Sequence, residues 1–430
     1  MSKKPKDPNK RKKCVKVLLI ILGVLVAFVI TAYTATNICN RVNTKKALSF
    51  EQVKKDDVPV LQTDEDGNRT FTSDRDFKIL QLTDIHIGAG FMSFKKDAMA
   101  LNAVAAMVSA EKPDLVIVTG DIAYPVPFQA GTFNNKAGAK LFATLMEQLG
   151  VYWTVAFGNH DSEVYSYYSR EEIADFYENS GFEHCIFKSG PEDVDGSCNQ
   201  LINIKNTKGE ITQSLYIFDS HAYTDGDYLG ILWKYDNIHE NQIEWYKENV
   251  LAVNAKNDEF YEKEGIKKKA DVKSLAFFHI PLVEQRDAWY EYANNGYKDT
   301  ENVQLIYGVA GAPDKVVYCG VYDNNLFETM QELGSTKGVF VGHDHKNNFS
   351  LLYKGIRLTY GMSIDYIAFP GMSKIGAQRG CTVIEVSPDG TFDCHAENYY
   401  QDKYVSLYEK ETVEMQEVTY AETKYEQRAA

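Results

Sequence analysis

The chain has 430 residues, of which 44% are hydrophobic and 13% aromatic, enough for one large domain or two to three smaller ones. This composition excludes a disordered or low-complexity protein. The formal net charge of −14 argues against a nucleic-acid-binding protein or scaffold, which would carry a basic face.

The N-terminus combines a lysine-rich block with a long apolar run. Residues 17–35 carry no charge and approach the roughly 20 apolar residues that cross a bilayer as a helix. We therefore predict a transmembrane signal anchor at 17–35 that contacts the lipid bilayer. A cleaved signal peptide is the alternative, although its apolar region usually has only about 7–15 residues.

The positive-inside rule sets the predicted topology. Basic flanks stay in the cytoplasm, so residues 1–16 are a predicted cytoplasmic tail of a single-pass membrane protein. The catalytic part would then lie outside the cell, and cleavage at the alternative signal peptide would make it a secreted protein.

Strand and helix patterns alternate along most of the remaining chain. Residues 36–75 are polar and predict a stalk or linker, and the charged residues 399–430 predict a loosely attached tail. Between them, residues 76–398 predict one catalytic domain of the α/β class, since buried strands and amphipathic helices alternate there. Predicted strands span 77–82, 115–118, 151–157, 201–204, 215–218, 272–278 and 338–341. Predicted helices span about 94–109, 136–149, 170–177, 238–250 and 325–332. Short strands between 350 and 395 predict a second sheet.

Five predicted strands end in residue types that bind metals. Each motif follows an apolar run, so the side chains are expected at one edge of a sheet. Aspartate, asparagine and histidine form a donor set suited to Zn, Fe or Mn. Any one motif is compatible with an ordinary turn or helix cap, but together they predict a metal site. The motifs are Asp84-Ile85-His86, Gly120-Asp121, Gly158-Asn159-His160-Asp161, Phe278-His279 and Gly342-His343-Asp344-His345.

This ordered set resembles the calcineurin-like metallophosphoesterase superfamily, and most closely its purple-acid-phosphatase-like subgroup. The subgroup is suggested by the extended motif Gly158-Asn159-His160-Asp161-Ser162-Glu163 and by three further segments, namely Ser197-Cys198-Asn199, residues 215–220 and residues 275–282. The resemblance covers residues 77–398 and implies a four-layer α-β-β-α sandwich. It also implies a phosphoesterase with two divalent or trivalent metal ions (Fe, Zn or Mn), in which a metal-bound hydroxide attacks the phosphate ester.

The resemblance further implies a role for each motif residue. His160 would be the catalytic general acid and Asp161 would orient it. Asp121 would bridge the two ions, because a carboxylate can bind two cations while reducing their repulsion. One ion would be held by Asp84, His86, Asp121 and His345, and the other by Asp121, Asn159, His279 and His343.

Two residues have open roles. Tyr124 lies three residues after Asp121, where purple acid phosphatases carry the tyrosinate that binds ferric iron. Because this chain also has His86, we expect His86 to be the ligand and Tyr124 to support the site or line its pocket. His221 follows a predicted strand and either touches substrate or lies in a surface turn.

The substrate is not readable from the sequence. A small-molecule phosphoester or a phosphorylated macromolecule would suit the site, and both phosphomonoesterase and phosphodiesterase activity, the latter on nucleotide-type substrates, are compatible with it. A non-catalytic scaffold that retains the fold is a further alternative. Five cysteines in the body of the chain allow either the disulfides Cys185–Cys198 or Cys381–Cys394, or free thiols.

Overall fold

Two β-sheets packed face to face form the centre of the fold. The structure, a computed structural model, describes residues 8–311, 316–369, 372 and 379–413. The helices in these residues are α1 (Pro8–Ala47), α2 (Phe94–Glu111), α3 (Asn135–Leu149), α4 (Arg170–Asn179), α5 (Glu240–Lys263), α6 (Val283–Asn294) and α7 (Leu326–Leu333). The strands are β1 (Val60–Thr63), β2 (Arg69–Thr72), β3 (Phe77–Leu82), β4 (Leu115–Thr119), β5 (Tyr152–Ala156), β6 (Gln200–Lys205), β7 (Ile211–Ile217), β8 (Lys273–Phe277), β9 (Val303–Tyr307), β10 (Thr336–Val341), β11 (Ser350–Tyr353), β12 (Ile356–Tyr360), β13 (Gly380–Val386) and β14 (Phe392–Asn398).

The two sheets differ in size. The small sheet has the strand order β14-β13-β3-β4-β5, with β3, β4 and β5 parallel. The large sheet has the order β1-β2-β6-β7-β8-β10-β12-β11-β9, and its central strands β7, β8, β10 and β12 are parallel. Parallel strands buried on both faces explain the continuous apolar runs of β4 and β8.

Helices cover the outer faces of both sheets. One apolar core joins α2 and α3 to the small sheet and continues through it to the inner face of the large sheet, at Ile217 and Phe340. A second core packs α5, α6 and α7 on the other face of the large sheet, through Tyr246, Trp289 and Phe327. The arrangement is a four-layer α-β-β-α sandwich, which confirms the predicted fold class.

The predicted stalk at 36–75 differs from the structure. Residues 36–47 continue α1, which packs against α2 and α3. Farther along, β1 pairs with β2, and β2 pairs with β6 at the edge of the large sheet. Phe71 is fully buried against Phe77, with ring centroids 5.1 Å apart. Burial of Phe71 therefore draws this polar stretch into the sandwich, ahead of the predicted domain start at 76.

The predicted C-terminal tail also contributes to the core. Tyr399 and Tyr404 are both 1% exposed, and Tyr399 donates or accepts a hydrogen bond with Ser406 at 2.8 Å. Tyr408 reaches the first residues of the domain, where its ring contacts Phe50 in an edge-on arrangement at 5.9 Å. Residues 414–430 of the predicted tail lie outside the described residues, as do residues 1–7 of the predicted cytoplasmic tail.

The sequence predicted that the short strands near the C-terminus form a second sheet of their own. In the structure they do not. Strands β11 and β12 extend the large sheet, whereas β13 and β14 join the small sheet beside β3. Helix α6 and the strands β1, β2 and β9 were not predicted. The cysteines of the described residues are free thiols, which agrees with one of the two alternatives left open.

Helix α1 is long and apolar enough to cross a membrane. Within the described residues, the span Lys12–Ala47 has a mean hydropathy of 2.9 in its most apolar window. The side chains of that window are exposed rather than packed into the domain. An exposed apolar helix of this length is typical of a membrane span.

Candidate metal centre

The five motifs follow strands whose carboxyl ends meet at one edge of the sandwich. Strands β3, β4 and β5 run parallel in the small sheet, and β8 and β10 run parallel in the large sheet. Each is followed directly by one motif. The two sheets are joined at this edge, because Gln81 Nε2 donates a hydrogen bond to Val341 O at 3.0 Å. The fold therefore brings the motifs together.

Four motif residues have a backbone conformation that L-amino acids rarely adopt. The φ angles are +49° at Asp84, +52° at His86, +57° at Asp121 and +79° at His343. Left-handed backbone at a non-glycine residue costs about 1–3 kcal/mol and persists only where the surrounding structure holds it. Such strain concentrates at functional sites, so the backbone and the motifs indicate the same residues.

Two glycines allow the motif loops to lie against each other. A Cβ atom on Gly158 would lie 2.1 Å from Asp121 Oδ1. A Cβ atom on Gly342 would lie 1.9 Å from Thr83 Oγ1. Any side chain at either position would displace a loop that carries a predicted ligand.

Asp121 lies between histidines from the two sheets. Its Oδ1 accepts a hydrogen bond from the backbone amide of His160 at 2.8 Å. Its Oδ2 lies 3.3 Å from Nε2 of His86 and 3.2 Å from Nε2 of His279. One carboxylate oxygen thus faces a predicted ligand of each metal, which is the position that a bridging carboxylate needs.

Two predicted ligands each carry a buried oxygen atom that accepts no hydrogen bond among the described residues. These atoms are Asp84 Oδ1 and Asn159 Oδ1, on residues that are 1% exposed. An unsatisfied buried polar atom costs about 1–3 kcal/mol, which contact with a cation would remove. The cluster therefore fits a metal ion. Four side chains offer donor atoms within 4.8 Å of one another, namely Asp84, His86, Asp121 and His345.

Hydrogen bonds orient two further predicted ligands. His279 Nδ1 is 2.7 Å from Thr119 O and can donate to it, which leaves Nε2 for a metal. Asn159 Nδ2 donates to the hydroxyl oxygen of Tyr223 at 2.7 Å, so the amide oxygen is the free atom. Both side chains are held in the orientation that metal binding requires.

Asp365, which the sequence analysis did not identify, supports two predicted ligands. Its carboxylate oxygens each lie 3.2 Å from an imidazole Nδ1, one on His86 and one on His345. Asp365 is fully buried and also accepts hydrogen bonds from the backbone amides of residues 367–369. A carboxylate in this position holds the imidazole ring and makes it a more basic ligand.

The charges of the cluster favour cations. Burial alone would lower the pKa of His86, but the charges of Asp365 and Asp121 outweigh it and raise that pKa to about 9. Burial would likewise lower the pKa of His279, but the neighbouring Asp121 outweighs burial and raises that pKa to about 9. Burial would raise the pKa of Asp121, yet positive neighbours led by His279 hold it well below its usual range. A metal cation would take the place of the protons that these carboxylates attract.

His160 lies at the open side of the cluster, and a glutamate holds its ring. His160 Nδ1 is 2.7 Å from Glu163 Oε1, which also accepts a hydrogen bond from the Tyr223 hydroxyl at 3.0 Å. The side chain of His160 is 25% exposed, whereas that of Glu163 is 3% exposed. Glu163 and Tyr223 therefore link the His160 ring to the amide of Asn159.

The predicted role of Asp161 is wrong in one respect. Its carboxylate does not hold the His160 ring but accepts three backbone hydrogen bonds at 2.9 Å, from the amides of Asp121, Ala123 and Gly158. Asp161 is buried between the loops after β4 and β5, so its carboxylate joins these loops. The residue that orients His160 in the structure is Glu163.

Tyr124 and His221 lie in different surroundings. The Tyr124 ring is 4.8 Å from that of His86, and its hydroxyl donates to Gln129 Oε1 at 2.9 Å. Burial, reinforced by nearby carboxylates, raises the pKa of Tyr124. His221 Nε2 is 3.0 Å from Gln242 Oε1, and the ring stacks on His239, away from the cleft described next.

An open cleft of about 440 Å³ leads to the cluster. Asp121, His160 and the His343–His345 segment form its floor. Its walls are largely aromatic, and the ammonium group of Lys346 lies 4.1 Å from the centre of the Phe369 ring. The aromatic wall residues are Tyr124, Trp233, Tyr235, Tyr318 and Phe369.

Comparison with known families agrees with this geometry. The family model for the calcineurin-like phosphoesterases matches residues 77–347, which contain all five motifs. The chain belongs to the calcineurin-like phosphoesterase family. This confirms the superfamily that the motifs indicated.

Relatives of this chain support the purple-acid-phosphatase-like subgroup. The protein named "Probable inactive purple acid phosphatase 28" from Arabidopsis thaliana is 26% identical over 323 residues, covering 70% of this chain and 73% of the relative. Phosphatase DCR2 of Saccharomyces cerevisiae is 31% identical over 300 residues, 65% of this chain and 46% of the relative. A solved structure of a dimetal phosphatase from Danio rerio is 12% identical, with a TM-score of 0.44, and covers 76% of this chain and 97% of that one.

The family and the buried Asp84, His86, Asp121 and His345 cluster together indicate a divalent metal site in this chain. Sequence reasoning gave no role to Glu163 and missed Tyr223 and Asp365. Glu163 lies only three residues after His160, so the spacing could have suggested it. Tyr223 and Asp365 are remote in sequence from the motifs that they contact, and no local pattern distinguishes them.

Proposed function

We propose that this chain is a membrane-anchored, extracytoplasmic phosphoesterase with a dinuclear metal centre and His160 as general acid. The observation that carries the proposal is the position of Asp121 Oδ2, about equally distant from His86 and His279. Two ligand groups that share one carboxylate suit two cations held close together.

The proposed ligands divide between the two ions as the family resemblance implies. When bound, the metals (Fe, Zn or Mn) would supply Lewis acidity toward the phosphoryl group and lower the pKa of water. The unsatisfied oxygens of Asp84 and Asn159 support one ligand in each group. The groups are Asp84, His86, Asp121 and His345, and Asp121, Asn159, His279 and His343.

His160 is placed to give a proton to the leaving oxygen. Its Nδ1 faces Glu163 at 2.7 Å, so Nε2 is the nitrogen left for substrate. A carboxylate in contact with Nδ1 keeps a proton there and fixes the ring plane, as in other acid–base histidines. In this proposal Glu163 is a positioning residue and His160 the catalytic residue.

The cleft suits a phosphoester with an apolar or aromatic group. Lys346 offers a cation for phosphate oxygens, and Trp233 and Tyr235 offer flat apolar surfaces for the alcohol portion. The cleft is open on one side, so its shape alone does not separate monoesters from diesters. Phosphodiester hydrolysis on a nucleotide-type substrate is the alternative within the same chemistry.

Purified full-length chain should be tested with a monoester and a diester of the same alcohol after metal analysis. We expect metal-dependent turnover that His160→Ala lowers about 10²–10⁴-fold, the usual range for loss of general acid catalysis. His395→Ala is the matched control, because that side chain is 52% exposed on β14, and we expect it to retain full activity. Equal losses in both variants would contradict the role of His160.

A non-catalytic scaffold is the second candidate. It is suggested by the names of the Arabidopsis relatives, which describe them as probable inactive purple acid phosphatases. Against it, this chain has each ligand type that the motifs require and also has His160. If the protein hydrolyses neither ester although metal analysis shows a fully occupied site, the chain is a non-catalytic scaffold.

A further inference from the structure

Helix α1 leaves the domain at the edge that carries the metal-site motifs. Thr36 Oγ1 accepts a hydrogen bond from the backbone amide of Phe91 at 3.3 Å, and Asn40 Nδ2 donates to Ala89 O at 2.9 Å. Residues 89–91 come directly after the Asp84-x-His86 motif. Farther along, Phe50 O accepts a hydrogen bond from Gln148, near the C-terminal end of α3. The chain enters β5 just after this point, so this contact lies at the edge of the sheet opposite the motifs. The apolar N-terminal half of α1 therefore projects from the edge of the sandwich that carries the metal-site motifs.

The end of the apolar run coincides with this contact. Residues 17–36 are uncharged. Roughly 20 helical residues at about 1.5 Å each span about 30 Å, which is the thickness of the hydrocarbon layer. With this run in a bilayer, Thr36 and the Phe91 loop lie at its outer surface. The backbone amide of Met92 in turn donates to Ala130 O at 3.1 Å, which places the loop after β4 at the same level.

Exposed apolar side chains surround the cleft at this edge. All of them lie on loops that follow β3, β4, β5 or β7, the strands that carry or adjoin the motifs. We call these residues the apolar rim. They are Met92, Phe128, Val164, Tyr167, Tyr228, Leu229, Ile231, Leu232 and Trp233, each at least half exposed.

The rim is too apolar for a surface that meets only water. Phe128 is 88% exposed, and residues 228–233 expose a Tyr, a Trp and three aliphatic side chains in succession. Patches of this kind mark sites that contact protein or membrane, and Trp and Tyr are enriched where proteins meet a bilayer surface. Trp233 belongs both to the rim and to the wall of the cleft.

A basic groove lies between the anchor and α3, just beyond the surface level of Thr36. Arg41 and Lys45 of α1 face Lys136 and Lys140 of α3 across it. None of the four has a carboxylate partner within the part of the chain that the structure describes. Lys136 lies over the rings of Tyr168 and Phe176, at 5.0 and 5.1 Å. In a chain of net charge −14, four cations without carboxylate partners beside the anchor suit the anionic headgroups of lipids.

We propose that the apolar rim rests on the outer surface of the bilayer, so that the cleft opens toward the membrane and takes lipid-borne phosphoesters. This inference rests on the proposed phosphoesterase function and on α1 as a membrane anchor. For a lipid phosphate monoester, water adds to phosphorus as the ester P–O bond breaks. The lipid oxygen leaves with a proton, and the products are a lipid alcohol and inorganic phosphate.

Tryptophan quenching tests the rim without reference to activity. Of the four tryptophans, Trp153 and Trp289 are fully buried and Trp245 is partly buried, whereas Trp233 is 60% exposed. Full-length chain is reconstituted into phosphatidylcholine vesicles whose acyl chains carry bromine. We expect quenching of the wild type that Trp233→Phe largely removes. Equal quenching of the wild type and Trp233→Phe would overturn the proposed contact.

Activity then tests the substrate class. The reconstituted chain is given phosphatidic acid in its own vesicles, or a short-chain phosphatidic acid dissolved as monomers. The variant Leu229→Ser/Ile231→Ser, whose positions lie outside the lining of the cleft, should lose about tenfold on the vesicle-borne ester only. The matched control is Leu251→Ser/Ile266→Ser, because Leu229 and Leu251 are both 55% exposed.

The outcomes separate the inference from the function on which it rests. An equal effect of the rim variant on both forms of the ester, or none on either, overturns the membrane-facing cleft. Hydrolysis of neither form by the wild type contradicts the proposed function and the lipid substrate together. In that event the quenching result still decides whether the rim contacts the bilayer.

Discussion

Two clusters of histidine and aspartate differ in how the fold satisfies their polar atoms. The central cluster is the buried group of Asp84, His86, Asp121 and His345. The peripheral cluster is the half-buried group of His221, Asp236 and His239. Both bring donor atoms within 4.8 Å of one another, so proximity alone does not distinguish them.

The difference lies in the remaining hydrogen bonds. In the peripheral cluster, His239 Nδ1 is 2.7 Å from Asp195 Oδ2, and His221 Nε2 is 3.0 Å from Gln242 Oε1. The protein itself already satisfies these atoms. In the central cluster the buried Asp84 Oδ1 accepts no hydrogen bond in the described part of the chain, and its ion-pair neighbour at 3.4 Å, His345 Nε2, is itself a predicted ligand. A buried oxygen left without a hydrogen bond among other metal-binding side chains, rather than a list of residue types, indicates where a metal belongs.

The largest expected difference follows from the removal of one charge in each cluster. Asp121→Asn should abolish metal binding and lower turnover about a thousandfold or more, because the bridging charge supplies several kcal/mol of stabilisation. Asp236→Asn in the peripheral cluster should retain both properties. Elemental analysis and single-turnover assays measure the pair. Full metal content in Asp121→Asn would refute the bridging role.

Glu163→Gln should have the next largest effect, about tenfold to hundredfold on turnover, since it leaves His160 in place but weakens its orientation. The loss should grow as the leaving group becomes less acidic, because poor leaving groups need the proton most. A merely structural defect would lower the rates on all esters alike. A series of aryl and alkyl phosphates distinguishes the two results.

Asp365→Asn should weaken metal affinity about tenfold to hundredfold, since it removes the carboxylate behind two ligand imidazoles. Turnover at saturating metal should change less than affinity does. Competition with a chelator measures the affinity. Unchanged affinity would show that Asp365 acts only on its own loop, where it accepts backbone hydrogen bonds.

The smallest effect is expected in the peripheral cluster. The hydrogen bond that His239 donates to Asp236, opposed by burial and helped by Asp195, raises the pKa of His239 to about 9. The resulting stability is fully present below the unfolded pKa of about 6.5 and is lost as pH rises through 9. Because the side chain is 35% exposed, solvent screening limits the effect to well under about 1 kcal/mol. Denaturant unfolding of His239→Gln should differ from wild type at pH 6 and match it at pH 10.

Much of the sandwich was predictable because its central strands are buried on both faces. Strands β3, β4 and β8 are buried over most or all of their residues, and the structure places them within a residue or two of the prediction. Strands β1 and β9 were missed because they lie at the two edges of the large sheet. Their half-exposed side chains show no continuous apolar run.

The candidate site likewise contains residues that the sequence predicted and residues that it did not. The predicted ligands were readable because each follows its own strand directly. Asp161 was misjudged because a neighbour in sequence need not point the same way, and its carboxylate turns back to the amides of the loops after β4 and β5. Asp365 and Tyr223 depend on contacts between distant segments, which no single stretch of sequence encodes.

Contacts between the first and the last described segments of the domain affect the order in which it can fold. Asn102 of α2 donates to the hydroxyl of Tyr399, 297 residues later, and Tyr408 packs on Phe50 just after α1. Strand β13, which covers one edge of β3, is also synthesised long after β3. At about 5–20 residues per second, the first strand of the small sheet waits many seconds with an open edge. The unpaired edge of β3 is then exposed to aggregation or to chaperones until β13 has been synthesised.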